Sequence, residues 1–284
     1  MSKIKIEGLT YYHGKDTPYE IKALDGVELA IPEGKITGII GHTGSGKSTL
    51  VQMFNGILRP QEGKVLLDGK DIWEKPKKIR SVRFKVGLVM QYPEYQLFED
   101  TVYKDIAFGP QNMGLDAKEI KERVLEAAEF ADLTPEMLSQ SPFDLSGGQK
   151  RRAAIAGIIA MRPDVLVLDE PAAGLDPRGR ALIFENICKY QKKSGNTVII
   201  VSHSMEDMAK YCDNLVVMHD GQIKMQGSAD EIFSQAEELY EIGLDIPQVT
   251  KLILTLKSHG VEIDSNVYTV DGALEKLMEI YRKQ

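Results

Sequence analysis

A glycine-rich stretch at residues 41–48, GHTGSGKS, has the residue types and the spacing of a phosphate-binding loop. Its glycines permit backbone angles that turn N–H groups toward phosphate oxygens, at the positive end of the helix expected after the loop. Lys47 supplies a charge near the β- and γ-phosphates, and Ser48 supplies a hydroxyl for Mg²⁺. The sequence predicts that a continuous run of residues binds ATP: Gly41, His42, Thr43, Gly44, Ser45, Gly46, Lys47, Ser48 and Thr49.

Two acidic residues end a second apolar stretch, VLVLDE at residues 165–170. Its apolar residues predict a buried strand with Asp169 at the carboxyl end, which is where α/β sheets bind ligands. We predict that Asp169 holds Mg²⁺, directly or through a water ligand of the ion. We also predict that Glu170 faces the γ-phosphate and polarises the attacking water. The simpler alternative is a pair of structural acids at a strand end.

Two further polar residues follow predicted strands. His203 ends TVIIVSH at residues 197–203, and Gln91 lies just beyond VGLVM. A lone histidine at a strand end commonly makes a structural hydrogen bond, but the neighbouring nucleotide site favours a γ-phosphate sensor. Gln91 is within reach of the Mg²⁺ or its water, although the sequence alone leaves that role open. The predicted catalytic residues are therefore Lys47, Glu170 and His203, and the predicted Mg²⁺ ligands are Ser48, Gln91 and Asp169.

The elements that must position these residues form an α/β pattern. Nearly continuous apolar runs at 36–40, 165–169 and 197–203 predict buried parallel strands, because helix-like segments separate them. Alternating apolar residues at 27–31 predict a half-buried strand before this core. Residues from about 92 to 160 lack a strand pattern in their second half and repeat apolar positions at helical spacing, which predicts an inserted helical subdomain.

The last part of the chain has a different character. A DG turn predicts a hairpin at residues 217–227, and helices follow it. Ser228 begins a capping-box pattern, Pro247 is placed to open a second helix, and Asp271 is a candidate cap for the last one. The apolar stripes of these helices predict either a small core or a surface that covers a partner.

Composition limits the possible partners. The chain of 284 residues carries a net charge of −7, which argues against nucleic acid as a non-specific partner. No apolar run approaches the length of a membrane span, so any membrane contact is expected to run through a partner. Cys188 and Cys212 lack metal-ligand or redox spacing, and MSKIKIEGLTYY lacks the apolar segment of a signal peptide. We therefore expect a cytosolic protein with two buried free thiols.

A second candidate phosphate loop, DLSGGQKRR, occupies residues 144–152. Ser146 is a good N-cap for a helix predicted over about 149–160, and the positive end of that helix can receive an anion. A plain helix cap is the alternative, because no strand pattern comes directly before the loop.

These motifs together resemble the ATP-binding subunits of ABC transporters. GHTGSGKST, Gln91, LSGGQ, VLVLDE, GLDP and His203 occur in that family's order and approximate spacing, over residues 1–227. The resemblance implies an α/β fold with a P-loop NTPase (RecA-like) core, an N-terminal antiparallel β subdomain and an inserted helical subdomain. A small α-rich extension would follow at residues 228–284.

The resemblance also implies a head-to-tail dimer with two ATP molecules bound between the subunits. In such a dimer a signature loop binds the γ-phosphate held by the partner's P-loop, and Asp176 couples the two sites. Tyr12, or its neighbour Tyr11, would stack on adenine. The predicted signature residues are Leu145, Ser146, Gly147, Gly148 and Gln149.

Two other segments resemble the ATPase subunits of energy-coupling factor (ECF) transporters, which import vitamins and metal ions in prokaryotes. They are TPYEIKALDGV at 17–27 and QYPEYQLFEDTVYKDIAFGPQNMG at 91–114. The likeness is to the second of two paralogous ATPases that commonly form a heterodimer, so the resemblance favours a paralogue over a second copy of this chain as the partner, although the sequence leaves both open. It also implies a transmembrane coupling subunit docked near residues 94–99, a separate substrate-binding membrane subunit, and a peripheral place on the cytoplasmic face of the membrane. The tail resembles the family's C-terminal dimer-contact region.

Three other classes of protein share part of this pattern. An ordinary ABC importer or exporter ATPase differs in the segment after Gln91 and in the tail. Soluble ABC ATPases that act on chromosomes separate the two phosphate loops by a long coiled coil, whereas Ser48 and Ser146 are only 98 residues apart here (146 − 48), and the type that acts on ribosomes carries two ATPase domains in one chain. A P-loop kinase does not need an LSGGQ loop, so the presence of this loop argues against a kinase.

Overall fold

Ten strands, twelve α-helices and three short 3₁₀ helices form the part of the chain that the computed structural model describes, residues 2–264 and 266–283. The strands are β1 (Ser2–His13), β2 (Ile21–Pro32), β3 (Ile36–Gly41), β4 (Glu62–Leu67), β5 (Lys70–Asp71), β6 (Val86–Val89), β7 (Val165–Asp169), β8 (Thr197–Val201), β9 (Asn214–His219) and β10 (Gln222–Gly227). The helices are α1 (Lys47–Phe54), α2 (Ile79–Lys85), α3 (Val102–Asn112), α4 (Ala117–Phe130), α5 (Pro135–Ser139), α6 (Gly147–Ile159), α7 (Pro177–Ser194), α8 (Met205–Tyr211), α9 (Ala229–Phe233), α10 (Ala236–Glu241), α11 (Gln248–Ser258) and α12 (Val270–Lys283).

A six-stranded sheet in the order β10-β9-β3-β8-β7-β6 forms the centre of the molecule. Its strands are parallel except for β10, which pairs antiparallel with β9. Strands β3, β6, β7 and β8 are buried along their whole length, as expected for a parallel sheet covered on both faces. The predicted α/β core is therefore confirmed. All of its parallel strands end at the same edge, which brings together the loops that follow them.

A second, antiparallel sheet has the order β2-β1-β4-β5. Alternate residues of β2 are buried, and they join a core with α1 and one face of the central sheet. This arrangement confirms the antiparallel β subdomain. Only the side chains of every second residue reach that core, because successive residues of a strand point to opposite faces.

Four helices, α3 to α6, lie between β6 and β7 with no strand among them in the described structure. Helix α6 begins at Gly147, two residues earlier than predicted, because Ser146 caps it and both glycines already belong to its first turn. In α4 the residues Val124 and Ala128 are buried, whereas Leu125 is exposed although the apolar pattern included it. The exact limits of the helical subdomain, about 92 to 160, stay a prediction.

The tail divides into two parts by packing. Residues of α9 and α10 and the loop that follows them, up to Ile246, belong to the main core. Beyond that point Ile253, Ile263, Val267 and Ala273 form a small core of their own. The last strand thus ends at Gly227, but the change in packing comes about twenty residues later, and the domain boundary at 227 stays a prediction.

The last helix begins differently from the prediction. Thr269, and not Asp271, caps α12, since the Oγ1 atom of Thr269 accepts a hydrogen bond from the Gly272 N–H at 3.2 Å. Asp271 lies in the first turn, where its negative charge still suits the positive helix end. Leu277 packs on the small core, whereas Tyr281 is exposed on the same helix. Both alternatives for the tail, a small core and an uncovered apolar face, therefore occur together.

None of the helices in the described part of the chain combines the length and the apolar content of a membrane span. The two cysteines are free and only partly buried, and burial raises the pKa of each thiol.

Candidate nucleotide site

A cavity of about 590 Å³ opens at the carboxyl edge of the central sheet, a volume in the range of small-molecule sites. Many of the residues predicted to bind or hydrolyse ATP line it: Gly41, Thr43, Gly44, Gly46, Lys47, Ser48, Thr49, Gln91, Asp169, Glu170 and His203. Five residues that were not predicted to belong to the site also line it: His13, Ile21, Lys22, Ala23 and Val201. Residues far apart in the sequence thus meet because β3, β6, β7 and β8 end side by side.

The loop between β3 and α1 requires glycine at particular positions. Gly44 and Gly46 have φ angles of 86° and 98°, in the left-handed region where a side chain is strained. A Cβ atom on Gly46 would also stand 2.5 Å from the Ala23 carbonyl oxygen. No side chain of the described residues caps α1, so its first N–H groups remain available to phosphate oxygens.

Lys47 folds back over its own loop. Its Nζ donates hydrogen bonds to the Gly41 carbonyl at 2.7 Å and to the His42 carbonyl at 2.8 Å. Burial lowers the pKa of Lys47, while the charges of Glu170 and Asp169 act in the opposite direction. The ammonium group is therefore held between the phosphate loop and the acidic pair, where a triphosphate would receive its charge.

Asp169 is a buried carboxyl at the end of β7. Burial raises the pKa of Asp169 and Glu170 raises it further, and a hydrogen bond from Ser48 and the charge of Lys47 offset only part of this rise. A nearby cation stabilises the ionised form of such a buried carboxylate. Together with the oxygen atoms of Ser48 and Gln91 it forms the hard donor set that Mg²⁺ prefers, so the residues of the cavity fit that ion.

Glu170 has an unusual backbone for its residue type. Its φ angle is 51°, and its N–H donates to the Val201 carbonyl at 3.0 Å, so the pairing with β8 holds this conformation. The Nδ1 atom of His203 lies 2.9 Å from Oε1 of Glu170. The contact fixes the carboxylate beside an exposed imidazole at the mouth of the cavity.

The tyrosines predicted to stack on adenine are not among the residues that line this cavity. Tyr11 packs against the core, and the Tyr12 ring lies beneath the Lys22 ammonium at 5.5 Å. His13 lines the cavity instead, with its Nε2 atom 3.1 Å from Oγ1 of Thr49. Tyr11 and His13 lie on the same side of β1, where their rings pack edge to face with centroids 5.0 Å apart, but the alternation along the strand does not by itself show that this side reaches the cavity. The role of Tyr12 stays a prediction, and His13 is a second candidate for it.

Two predicted residues of the phosphate loop also face away from the cavity. Ser45 is buried beneath the loop, where its carbonyl accepts a hydrogen bond from Gly221 N–H at 3.1 Å. The imidazole of His42 turns toward Asp220, with Nε2 at 3.5 Å from a carboxylate oxygen.

The LSGGQ loop is separate from this cavity. Ser146 and Gln149 form a reciprocal capping box at the start of α6, and the Leu145 side chain is buried. A Cβ atom on Gly147 would meet no described atom within 4 Å, and one on Gly148 would meet only Leu175, at 3.9 Å. The packing within this chain therefore does not require either glycine.

Asp176 caps α7 by accepting a hydrogen bond from Gly179 N–H at 2.8 Å, and it too lies outside the cavity lining. Most of the predicted site residues therefore either line the cavity or belong to the separate LSGGQ loop, whereas Tyr12, His42, Ser45 and Asp176 do neither.

Comparison with known proteins identifies the family. A family model described as ABC transporter matches residues 24–173, more than half of the chain. The chain belongs to the ABC transporter family. Among individual ABC proteins, the energy-coupling factor transporter ATP-binding protein EcfA2 of Caldanaerobacter subterraneus subsp. tengcongensis is 49% identical, over 98% of each chain. The EcfA2 protein of Clostridium acetobutylicum is 50% identical over 98% of this chain and 97% of the relative.

Solved ABC structures resemble this one. The cbiO1 protein from Clostridium perfringens, part of the ABC transporter complex cbiONQ, has a TM-score of 0.76 and 40% identity, over 89% of this chain and 99% of that chain. A dimeric bacterial ABC transporter cassette has a TM-score of 0.72 and 27% identity, over 80% and 98% of the two chains. This ABC protein therefore falls among the ATP-binding proteins of ECF transporters, as its sequence predicts.

One buried ion pair links helix α6 to the segment that follows Gln91. Arg151 of α6 is 3% exposed, and its Nε and Nη2 atoms donate to the two carboxylate oxygens of Glu94 at 3.0 and 2.6 Å. Its Nη1 atom donates to the Ala173 carbonyl. Burial alone would raise the pKa of Glu94, but the hydrogen bonds from Arg151 lower it below its usual range. Helix α6 is thereby joined to the segment after Gln91 and to the loop after Glu170.

We expect Arg151→Ala to destabilise this ABC protein by about 3 kcal/mol, because removing one partner leaves the other charge buried and unpaired. The midpoint of urea unfolding measures this change. Lys150→Ala is the matched control, since the neighbouring side chain is only partly buried, and we expect a change within about 0.5 kcal/mol. Equal midpoints for the two variants would contradict a stabilising role for the ion pair.

Proposed function

We propose that this chain is the ATP-hydrolysing motor subunit of an ECF-type ABC importer, in which dimer closure and hydrolysis drive uptake of vitamins or metal ions through membrane partners. The observation that carries the proposal is the separation of the site into two halves. One cavity gathers the phosphate loop, the acidic pair and His203, whereas the LSGGQ loop opens elsewhere. The proposal places the chain at the cytoplasmic face of the membrane, in contact with it only through its partners.

Within the cavity each side chain has a defined part in hydrolysis. Lys47 and the first N–H groups of α1 hold the phosphates. Ser48, Asp169 and Gln91 would hold Mg²⁺, which neutralises charge on the phosphate oxygens when it is bound with ATP. Glu170 orients the attacking water and takes its proton, while the bond from the γ-phosphorus to the ADP oxygen breaks. His203 keeps the Glu170 carboxylate in place through the 2.9 Å contact.

A second ATPase subunit completes the site. Gly147 and Gly148 present free backbone at the positive end of α6, with open space where their side chains would be. A γ-phosphate held by another subunit can approach this backbone closely only because no side chain covers it. The dimeric cassette among the related structures supports such an arrangement. The family resemblance favours a paralogue over a second copy as the partner.

The apolar residues at the surface of the tail supply a further candidate contact between the two ATPase subunits. Large apolar side chains are exposed on α11 and α12 at six positions: Leu252, Leu254, Val270, Leu274, Met278 and Tyr281. An uncovered apolar face of this kind marks an interaction surface.

The transmembrane partner has a separate candidate site. A groove of about 650 Å³ lies between α2, α3 and α6, and the predicted docking segment contributes Gln96, Leu97 and Phe98 to it. Phe98 and Phe108 are exposed and pack edge to face at 5.0 Å. An amphipathic helix of a membrane subunit would fit such a groove, with its apolar face on the aromatic rings. Glu94 is the first residue of this segment, and its ion pair with Arg151 connects the segment to α6.

We expect Phe98→Ala to reduce recovery of the membrane subunits about tenfold, since exposed aromatic anchors carry much of the energy of an interface. The tagged chain is purified from detergent-solubilised membranes, and the bound proteins are quantified. Leu125→Ala removes an exposed apolar side chain of α4 outside the groove and should leave recovery unchanged. ATP binding should be unaffected in both variants. Recovery of DNA or ribosomes in place of hydrophobic proteins would instead support a soluble ABC ATPase.

A further inference from the structure

Two histidines leave the central sheet side by side, outside the ATP cavity. Strands β3 and β9 are parallel neighbours, with Gly41 opposite Met218. The next residues along the two chains, His42 and His219, therefore come together, and their ring centroids are 4.9 Å apart. Asp220 follows His219 directly, in the tight turn between β9 and β10. These three residues form the His–His–Asp cluster.

The carboxylate of Asp220 lies between the two imidazoles. One of its oxygens is 3.5 Å from Nε2 of His42, and the other is 3.3 Å from Nε2 of His219. One potential ligand atom from each residue lies within 4.8 Å of the other two. Among the described residues this is the group of histidine, cysteine and acidic side chains that comes close enough to hold a metal ion.

One hydrogen bond fixes which ring nitrogen of His42 is free. The Nδ1 atom of His42 is 2.8 Å from the Thr43 carbonyl oxygen, which only accepts, so in neutral His42 the proton is on Nδ1 and Nε2 keeps its lone pair. Within the described structure, Nε2 of His42 and Nδ1 of His219 are buried and have no hydrogen-bond partner. Buried polar atoms normally have one. A backbone carbonyl that accepts from the second ring nitrogen is also the usual support of a metal-binding histidine.

We propose that the His–His–Asp cluster binds a transition-metal cation of the Zn²⁺ class, with two imidazole ligands, one carboxylate ligand and an open coordination position. Imidazole nitrogens favour Zn²⁺, Co²⁺ or Ni²⁺ over Mg²⁺, which prefers oxygen. Ligand atoms around Zn²⁺ are roughly 3.3 Å apart, since the bonds are about 2.0–2.1 Å long. The two carboxylate-to-imidazole distances, 3.5 and 3.3 Å, already match that value, and all three ligand atoms lie within 4.8 Å of one another.

The ion would join two segments that already touch. The Gly221 N–H in the β9–β10 turn donates to the Ser45 carbonyl of the phosphate loop, and His42 lies in that loop between two residues that line the ATP cavity. A bound cation adds a second connection between loop and turn. Binding to the folded state alone also raises the temperature of unfolding.

The test is a titration of the purified chain with Zn²⁺ and with Co²⁺, in the absence of nucleotide and Mg²⁺. We expect one ion per chain, a Zn²⁺-dependent rise in unfolding temperature, and a Co²⁺ absorption spectrum of nitrogen and oxygen ligation. His219→Gln and Asp220→Asn should each weaken binding at least about tenfold. The matched control is His259→Gln, an exposed histidine that ends α11, and it should bind as the unaltered chain does.

Three results would overturn the proposal: no binding of either ion at micromolar concentrations, unchanged affinity in both cluster variants, or a thiolate charge-transfer band that points to Cys188 or Cys212. Neither His219 nor Asp220 lines the ATP cavity, so retained ATP binding verifies that the variants are folded. If His219→Gln fails to fold, Asp220→Asn decides alone, because its exposed side chain can be changed without disturbing the core.

Discussion

Glu170→Gln is expected to lower the rate of ATP hydrolysis by about 10²- to 10³-fold, because an amide cannot take the proton of the attacking water. The substitution keeps the size of the side chain, and its amide can still contact His203 at the position of the 2.9 Å contact. Since glutamine tolerates the same backbone as glutamate, the loop after β7 should keep its conformation. ATP binding should therefore survive while its hydrolysis stops.

The measurement combines phosphate release with gel filtration. The Glu170→Gln subunit, mixed with its ATPase partner, should elute as an ATP-dependent dimer that persists because its nucleotide is not consumed. Glu129→Gln changes an exposed carboxyl on α4 and should hydrolyse ATP at the unaltered rate. If Glu170→Gln retained more than a tenth of the unaltered rate of ATP hydrolysis, Glu170 would not be the group that takes the proton of the attacking water. A monomer whose elution volume does not change when ATP is added would contradict the proposed ATP-dependent dimer.

Two further substitutions, one in the phosphate loop and one in the LSGGQ loop, test the two halves of the site separately. We expect Lys47→Ala to weaken ATP binding by about 10²-fold, because the ammonium that faces the phosphates is lost. Gly147→Val should leave ATP binding by the same chain intact, because Gly147 lies outside the ATP cavity and a Cβ atom there would meet no described atom within 4 Å. Hydrolysis by the assembled dimer should nevertheless fall at least about tenfold, since the valine would block the approach of a γ-phosphate held by the partner.

Equilibrium binding of a fluorescent ATP analogue and steady-state phosphate release distinguish these outcomes. Gly147→Val with full hydrolysis would contradict a role of LSGGQ in trans, whereas Gly147→Val with lost ATP binding would place the loop in the same site as Lys47. Lys47→Ala with unchanged binding would contradict the assignment of the phosphate loop itself. The two variants thus test the two halves of the site independently.

The residues at the ends of the parallel strands were predictable from sequence. Lys47, Asp169 and His203 each follow an apolar run, and a parallel sheet must bring such run ends to one edge. The local sequence is enough to identify these strands, because a strand that is buried on both faces needs an uninterrupted run of apolar residues. The family motifs then supplied the chemistry expected at that edge.

Features that depend on packing between distant segments were harder to predict. His13 reaches the cavity only because β1 lies beside β2 with irregular register, and neither the bulges nor the approach to Thr49 is visible in a local pattern. Thr269 and Asp271 are both good helix caps, and the small core of the tail selects between them. The position of α9 and α10 in the main core likewise follows from tertiary contacts.

The bare backbone of Gly147 and Gly148 has a kinetic consequence. A subunit that holds ATP but lacks the opposing loop has no complete site, so under the proposed arrangement its specific activity should depend on protein concentration. Below the dissociation constant of the pair, turnover per molecule would fall in proportion to the fraction assembled. Newly made subunits that have not yet bound their partner would then hydrolyse almost no cellular ATP.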